Sequence, residues 1–336
     1  MKWVFTPLIA GKPWNGSTIY TQALGGSESA VAYLALALTQ AGDTVTVFTH
    51  GVDNEYIFDG VRYINVSRIN EIIAKEEFDV VVSSRWREVT EAPWKTQSIV
   101  FWSHDLNDGN HSPIRANRIV MLSKFQASTW QFPDENVSYI GDGIDSSVFN
   151  NKIKYIRNPN MLIWTSNVDR GLPIAARIMQ EIRRRWPDYE LHVYGGPAVY
   201  GWDPRYGEAF LPRPCDIGGV FIHDPLPRSA LANVIKNSFA MFYPTTWPET
   251  FCMATLEAQA CGTPVIAPPF GALTETIKGG VLTYDYLNAI SQLRNPNKWN
   301  KLSDLGTDWG LDNTWSVVAR KWINMVTVMQ SAGGVK

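Results

Sequence analysis

Two doubly wound α/β domains are the fold class that the 336-residue sequence predicts, and three observations predict it. Short apolar strands alternate with helical segments through the first half. A polar stretch near 145–160 interrupts the pattern, and the alternation then restarts. Alternation of this kind builds mostly parallel sheets with helices on both faces. The length suits two domains of ordinary size, and an apolar fraction of 45% is enough for two cores.

In the first half, strands are expected at 2–9, 44–49, 61–66, 79–83, 98–103, 117–122 and 136–140. Several are apolar throughout, as strands buried on both faces should be. After the first strand, Ser27 is the expected N-cap of a helix. Val31, Leu34, Ala35 and Leu38 share its inner face and Gly42 ends it. Asn150-Asn151-Lys152 and Asn158-Pro159-Asn160 mark the linker. Strands follow near 160–166, 189–194, 219–223, 240–243, 264–267 and 280–283. A helix near 171–186 sets Ile174, Ile178 and Ile182 on one side, a second spans about 227–237, and an amphipathic helix covers 314–330. The expected division is an N-terminal domain over 1–150, a C-terminal domain over 151–313, and a last helix within 314–336. The stretch 196–218, rich in Gly, Pro, Tyr and Trp, reads as a long surface loop with a flap as the alternative.

With 18% charged residues and a net charge of −2, no overall basic field attracts nucleic acid or anionic lipid. The 14 tryptophans serve cores and, where exposed, can stack on sugar rings. Cys215, Cys252 and Cys261 form an odd set without metal-ligand spacing and read as reduced thiols. Thr6-Pro7 breaks the N-terminal apolar run, so a first strand explains it better than a leader. The longest apolar run, Ala30–Leu38, falls short of the roughly 20 residues that span a bilayer. The expected setting is cytoplasmic, with membrane contact at most at a surface.

Residues 248–262, Pro-Glu-Thr-Phe-Cys-Met-Ala-Thr-Leu-Glu-Ala-Gln-Ala-Cys-Gly, carry the most chemistry. An apolar run leads in, and the strand Pro264-Val-Ile-Ala follows. A helix start offers unpaired N–H groups and partial positive charge, which suit a diphosphate. Glu249 precedes that start and can accept hydrogen bonds from the hydroxyls of a sugar. Glu257, about two turns on, can take the hydroxyls of a ribose. The stretch resembles the E-x7-E signature of retaining GT-B glycosyltransferases, in particular family 4. The resemblance extends over nearly the whole chain and is strongest over 240–268. It implies two Rossmann-like domains facing across a cleft, the first for the acceptor, the second for a nucleotide-diphosphate sugar. It also implies that the last helix crosses back to the first domain.

Other segments fit the same family. Gly25-Gly26-Ser27-Glu28 opens the first helix, where the glycines let backbone approach a ligand closely. His104 follows a strand and resembles the family's cleft histidine, expected to contact the donor sugar. Ser123-Lys124-Phe125-Gln126 and Gly141-Asp142-Gly143-Ile144-Asp145 resemble its architectural turns. Ser166-Asn167-Val168-Asp169-Arg170-Gly171 stands where the family carries an Arg and a Lys-Gly pair on the diphosphate. This chain keeps one cation, Arg170, with Ser166 and Asn167 as neutral donors. Amides of Thr250, Phe251 and Cys252 would share the leaving charge. Gly195 and Leu226 resemble the walls that hold the nucleobase. Arg85-Trp86-Arg87, after the strand 79–83, can grip an anionic acceptor, stack a sugar or stack a base. Trp14, in the long loop Ala10–Leu24, completes the expected acceptor set. His111, His192 and His223 read as structural or solvated.

No D-x-D pattern or His/Cys/Asp cluster at metal spacing occurs, so metal-independent transfer without a cofactor is expected. A UDP- or GDP-sugar is the expected donor, a glycan or other hydroxyl compound the acceptor, and carbohydrate biosynthesis the setting. Rival readings are a sugar-nucleotide epimerase or another GT-B enzyme, and a catalytically silent sugar-nucleotide binder. Nucleic-acid glycosylation would rest on a local patch at Arg85 and Arg87, against the net charge.

Overall fold

Parallel strand pairing organises both halves of the chain. The structure, a computed structural model, describes residues 1–9, 11–109, 112–152, 156–203, 205 and 218–333. His111, Cys215 and most of the 196–218 stretch lie outside the described residues. The chain divides into two compact units. One comprises Met1–Ile19, Leu24–Gly143 and Trp315–Lys336; the other comprises Tyr20–Ala23 and Ile144–Thr314. The first division thus falls at Gly143, ahead of the expected 150.

The first unit holds β1 (Lys2–Pro7), β2 (Thr44–Thr49), β3 (Glu55–Phe58), β4 (Val61–Asn65), β5 (Val80–Ser84), β6 (Ile99–Trp102), β7 (Arg118–Met121) and β8 (Val137–Tyr139). Their order in the sheet is β3-β4-β2-β1-β5-β6-β7-β8. All neighbours are parallel except β3 with β4. The chain builds outward from β1 on one side, then returns to lay β5 on the other. The carboxyl ends of β1 and β5 therefore flank a topological switch point, where such sheets bind ligands. Trp3, Val4, Phe5 and Val80–Val82 are fully buried, as central strands covered on both faces require.

Within the helix Gly26–Gln40, Val31, Leu34, Ala35 and Leu38 are fully buried, as expected. The expected cap is corrected: Gly25 holds the N-cap position without a side-chain bond, and Ser27 lies inside the first turn. Its hydroxyl donates to the Glu28 carboxylate at 3.1 Å. The helix Trp315–Gly333 belongs to this unit. Trp322 meets Trp102 edge-on at 5.0 Å, and Trp315 stacks on Tyr33 at 5.9 Å.

The second unit holds β9 (Asn158–Trp164), β10 (Glu190–Val193), β11 (Val220–Ile222), β12 (Ser238–Phe242), β13 (Val265–Ala267) and β14 (Gly280–Leu282). Their order is β11-β10-β9-β12-β13-β14, with every pairing parallel. Strand order reverses between β9 and β12, which sets the switch point there. Asn158-Pro159-Asn160, expected as linker, instead opens β9. In the helix Leu172–Arg185 the inner face is Leu172, Ala175, Ala176, Met179 and Ile182. Ile174 is exposed and, of the three isoleucines, Ile182 alone lies on that inner face, so the expected face is corrected by about one residue, to Ala175 and Met179.

Among the elements outside the sequence expectation, a strand and a helix show why they were missed. The strand β3 is an antiparallel edge with Glu55, Tyr56 and Ile57 exposed, so it has no apolar pattern to reveal it. The helix Pro296–Asp312 contains Gly306 and Gly310, poor helix formers in isolation. Their role is close approach. A Cβ on Gly310 would stand 2.6 Å from the Ala260 Cβ, and one on Gly306 3.1 Å from the Gln259 carbonyl oxygen. The helix carrying Glu257 is thereby clamped from behind.

Candidate functional site

At the switch point of the second sheet, the segments leaving β9 and β12 meet. The turn Val168–Arg170 is capped by Asn167, whose Oδ1 accepts from the Val168 amide at 2.9 Å. Gly171 follows with φ +124°, a conformation that suits glycine, and packs against the backbone of Pro244–Thr246. The Arg170 carbonyl accepts from the Thr246 amide at 3.0 Å and the Thr245 hydroxyl at 2.7 Å. These bonds fix where the Arg170 side chain starts. Its Nη1 donates to both oxygens of Glu249, at 2.7 and 2.9 Å. The Tyr243 hydroxyl donates to Glu249 Oε1 as well. Glu249 is 3% exposed, and a buried carboxylate needs such partners.

Burial lowers the Arg170 pKa, but the Glu249 carboxylate outweighs it and holds the guanidinium charged well above its ordinary range. Burial and the same carboxylate push the Tyr243 hydroxyl up, so it remains a proton donor. The expectation gave Arg170 to phosphate and Glu249 to sugar as separate groups. In the structure the two side chains are paired directly, a contact the sequence reading did not include. Trp247, 46% exposed, lies 5.4 Å from the Arg170 guanidinium across its ring. The sequence reading missed it, although a Trp two residues before Glu249 is a usable signal.

Thr250 and Phe251 lead from Glu249 into the helix Met253–Ala260. Cys252 holds the N-cap position in the left-handed region, with φ +74°. That costs free energy for a side chain with a Cβ. Its carbonyl accepts from the Thr255 hydroxyl at 2.9 Å and the Thr255 amide at 3.2 Å, which helps retain the turn. Burial pushes the Cys252 thiol well up and the Cys261 thiol up to about 12, so neither ionises near neutrality. Both are free thiols.

Glu257, 5% exposed, lies inside this helix and is paired with Arg228. Burial raises its pKa, and the Arg228 charge works against that rise. Arg228 opens the helix Arg228–Asn237, two residues after Leu226. Its guanidinium also lies 6.0 Å from the Phe149 ring centroid. The pair therefore ties the Leu226 segment to the motif helix. Sequence reasoning missed Arg228, because nothing local links positions 29 apart in the chain. Gly195 follows β10 and is buried against the Ser166 backbone, whose carbonyl accepts from the Trp164 indole at 2.8 Å. His192 and His223 form a stacked pair, Nδ1 to Nε2 at 2.9 Å, with Glu190 at 3.1 Å from the other His192 nitrogen.

In the first unit, Gly25 and Gly26 open the helix beside β1. His104 follows β6, and its ring lies 4.4 Å from that of Trp102. Burial, aided by the Arg85 charge, depresses its pKa to about 3, so it is a neutral imidazole at neutral pH. Arg85 has φ +67° and donates to Asp105 at 2.7 Å and to the Ser27 hydroxyl at 3.1 Å. Two of the expected acceptor residues are placed elsewhere. Trp14 is 1% exposed and edge-on to Tyr63, which leaves no ring face for a ligand. Trp86 packs against the core cluster that contains Val4 and Phe48. The apolar surface beneath each loop outcompetes solvent for these rings.

Among the described residues, no cluster of His, Cys, Asp and Glu is arranged to hold a metal ion, and no helix is long and apolar enough to cross a membrane. Comparisons with known proteins agree with the fold. Residues 159–294 match the family described as Glycosyl transferases group 1. A D-inositol 3-phosphate glycosyltransferase of Kribbella flavida is 33% identical over 138 residues, 40% of this chain and 29% of that protein. A Stackebrandtia nassauensis protein of the same name is 36% identical over 95 residues, 28% of this chain and 21% of its own length. The chain thus matches under a third of the length of these relatives. Among solved structures, sucrose-phosphate synthase from Thermosynechococcus elongatus superposes with a TM-score of 0.78 at 16% identity, over 99% of this chain and 100% of that one. Anabaena HepE in complex with UDP-glucose gives 0.71 at 13% identity, over 98% and 100%. The chain has the GT-B fold, and its residues 159–294 resemble the glycosyl transferases of group 1.

Proposed function

We propose that the chain is a retaining, metal-independent glycosyltransferase that moves a sugar from a nucleotide-diphosphate sugar to an acceptor hydroxyl. One observation carries this reading. Two buried carboxylates, Glu249 and Glu257, flank the start of one helix at a sheet's switch point, each neutralised by an arginine. A diphosphate suits the helix start between them. Glu249 accepts hydrogen bonds from sugar hydroxyls, and Glu257 from the ribose. Arg170, with amides of Thr250, Phe251 and Cys252, takes the charge that develops on the leaving phosphate. The anomeric carbon–oxygen bond to phosphate breaks as the bond to the acceptor oxygen forms on the same face. The departing phosphate takes the acceptor proton, so no separate base is required.

The match to group 1 over residues 159–294 supports this reading, as does the likeness to HepE, solved with UDP-glucose. A UDP- or GDP-sugar is the proposed donor, Gly195 and Leu226 the proposed base walls, and the first unit the proposed seat of the acceptor and of His104. Buried free thiols at Cys252 and Cys261 suit a cytoplasmic setting. The test incubates the protein with a panel of nucleotide sugars and hydroxyl acceptors, with and without chelator. Anomeric configuration is read by NMR. Transfer with retention, undiminished by chelator, is expected. Inversion, or loss in chelator with rescue by magnesium, overturns the respective part.

A further inference from the structure

The first unit contains a cavity of about 170 Å³ at the carboxyl ends of β1, β5 and β6. Leu8 and Trp130 line it together with the charged residues Arg85, Arg87, Glu88, Asp105 and Asp108. This is the switch point of the first sheet, the place where a doubly wound sheet offers its loops to a ligand.

The wall is already charge-paired. Arg85 donates to Asp105 at 2.7 Å, and Arg87 to Asp108 at 3.0 Å. Arg87 is itself buried and lies 4.8 Å from the Trp130 ring centroid. The Asp105 backbone is pinned: its carbonyl accepts from Gln126 Nε2 at 2.9 Å, the Ser103 hydroxyl at 3.2 Å and the Trp130 indole at 3.2 Å. Arg85 is held in the left-handed region, and conformations of that kind persist where surrounding structure fixes them. The wall is therefore built in advance of any ligand.

Among the described lining residues, three carboxylates face two guanidiniums. A phosphate or carboxylate entering here would have to displace Asp105 or Asp108 and would still meet excess negative charge. A neutral polyol meets the opposite situation. Each arginine–carboxylate pair sets N–H donors beside carboxylate acceptors, and adjacent hydroxyls can accept from one and donate to the other. We propose that this cavity binds a neutral polyhydroxyl acceptor, a sugar or cyclitol without phosphate, through the Arg85–Asp105 and Arg87–Asp108 pairs. The assignment as acceptor rests on the glycosyltransferase reading; the binding chemistry does not.

Saturation-transfer NMR tests it on the full chain with myo-inositol and methyl α-glucoside, each beside its monophosphate, at about 10 mM, a concentration suited to millimolar affinity. The neutral ligands are expected to bind, the monophosphates about tenfold more weakly. The double substitution Asp105→Asn, Asp108→Asn is expected to remove neutral-ligand binding and leave nucleoside diphosphate affinity unchanged. Tighter binding of a monophosphate, no binding of either neutral ligand, or neutral binding undiminished in the double variant overturns the proposal. Calorimetry with UDP and GDP on the same samples reports separately on the nucleotide site. Nucleotide binding without polyol binding sinks this inference alone, and polyol binding without nucleotide binding sinks the glycosyltransferase reading alone.

Discussion

Arg170 Nη1 donates to both carboxylate oxygens of Glu249, at 2.7 and 2.9 Å, across 79 residues of chain. A charge-assisted pair at this depth holds two groups where a ligand can exchange partners with them. A donor diphosphate would draw on Arg170 while a sugar hydroxyl takes its place on Glu249. Arg170→Met strands a buried carboxylate and should lower stability by about 3 kcal/mol. Adding Glu249→Gln should recover part of that loss in chemical denaturation. Additive losses would show that the pair has no mutual dependence. Turnover should fall at least tenfold in either single variant.

Arg228 and Glu257 form the second pair. Burial raises the Glu257 pKa, and a carboxyl raised by folding adds stability below the ordinary carboxylate range and loses it as pH rises through the folded value. If, as proposed, the ionised Glu257 accepts from the ribose hydroxyls, nucleotide affinity should rise with pH through that same value. Arg228→Met removes the opposing charge. The midpoint of the binding profile should then move further up in pH, with Arg228→Lys restoring most of the shift. An unchanged midpoint would confine Arg228 to packing.

His104 has the opposite sign. Its folded pKa is depressed to about 3 from the ordinary 6.5. The corresponding stability is complete above 6.5 and is lost as pH falls toward 3. His104→Asn should flatten the acid limb of the stability profile by about 2–4 kcal/mol between those limits. Parallel limbs for the two proteins would contradict the burial account.

Gly310→Ala sets helix propensity against packing. Alanine gains about 1 kcal/mol in a helix interior. The new methyl would stand 2.6 Å from the Ala260 Cβ, and overpacking of this kind costs about 1–3 kcal/mol. Thermal melting should therefore show a net loss, and Glu257, on the neighbouring helix, should bind nucleotide less well.

Much of the fold was legible because parallel strands buried on both faces are apolar throughout, as β6 and β13 are. The edge strand β3 was not, since three of its four residues face solvent. Pro296–Asp312 was hidden by glycines selected for helix contact rather than propensity. At the site, Glu249, Glu257 and Arg170 were legible from local spacing around a strand-to-helix turn. Arg228 and Tyr243 were not, because their partners arrive only when β12 and its neighbours fold together. Trp14 was misread for a different reason: composition cannot divide aromatic rings between core and ligand.

A nucleotide diphosphate is proposed to bind at the start of the Met253–Ala260 helix with Glu257 on its ribose. Calorimetric titration of the wild-type chain and of Glu257→Gln with UDP and GDP reads this contact itself. Saturable binding of one nucleotide, weakened tenfold or more by the substitution, is the predicted result. No binding of either nucleotide, or equal affinity in both proteins, would contradict it.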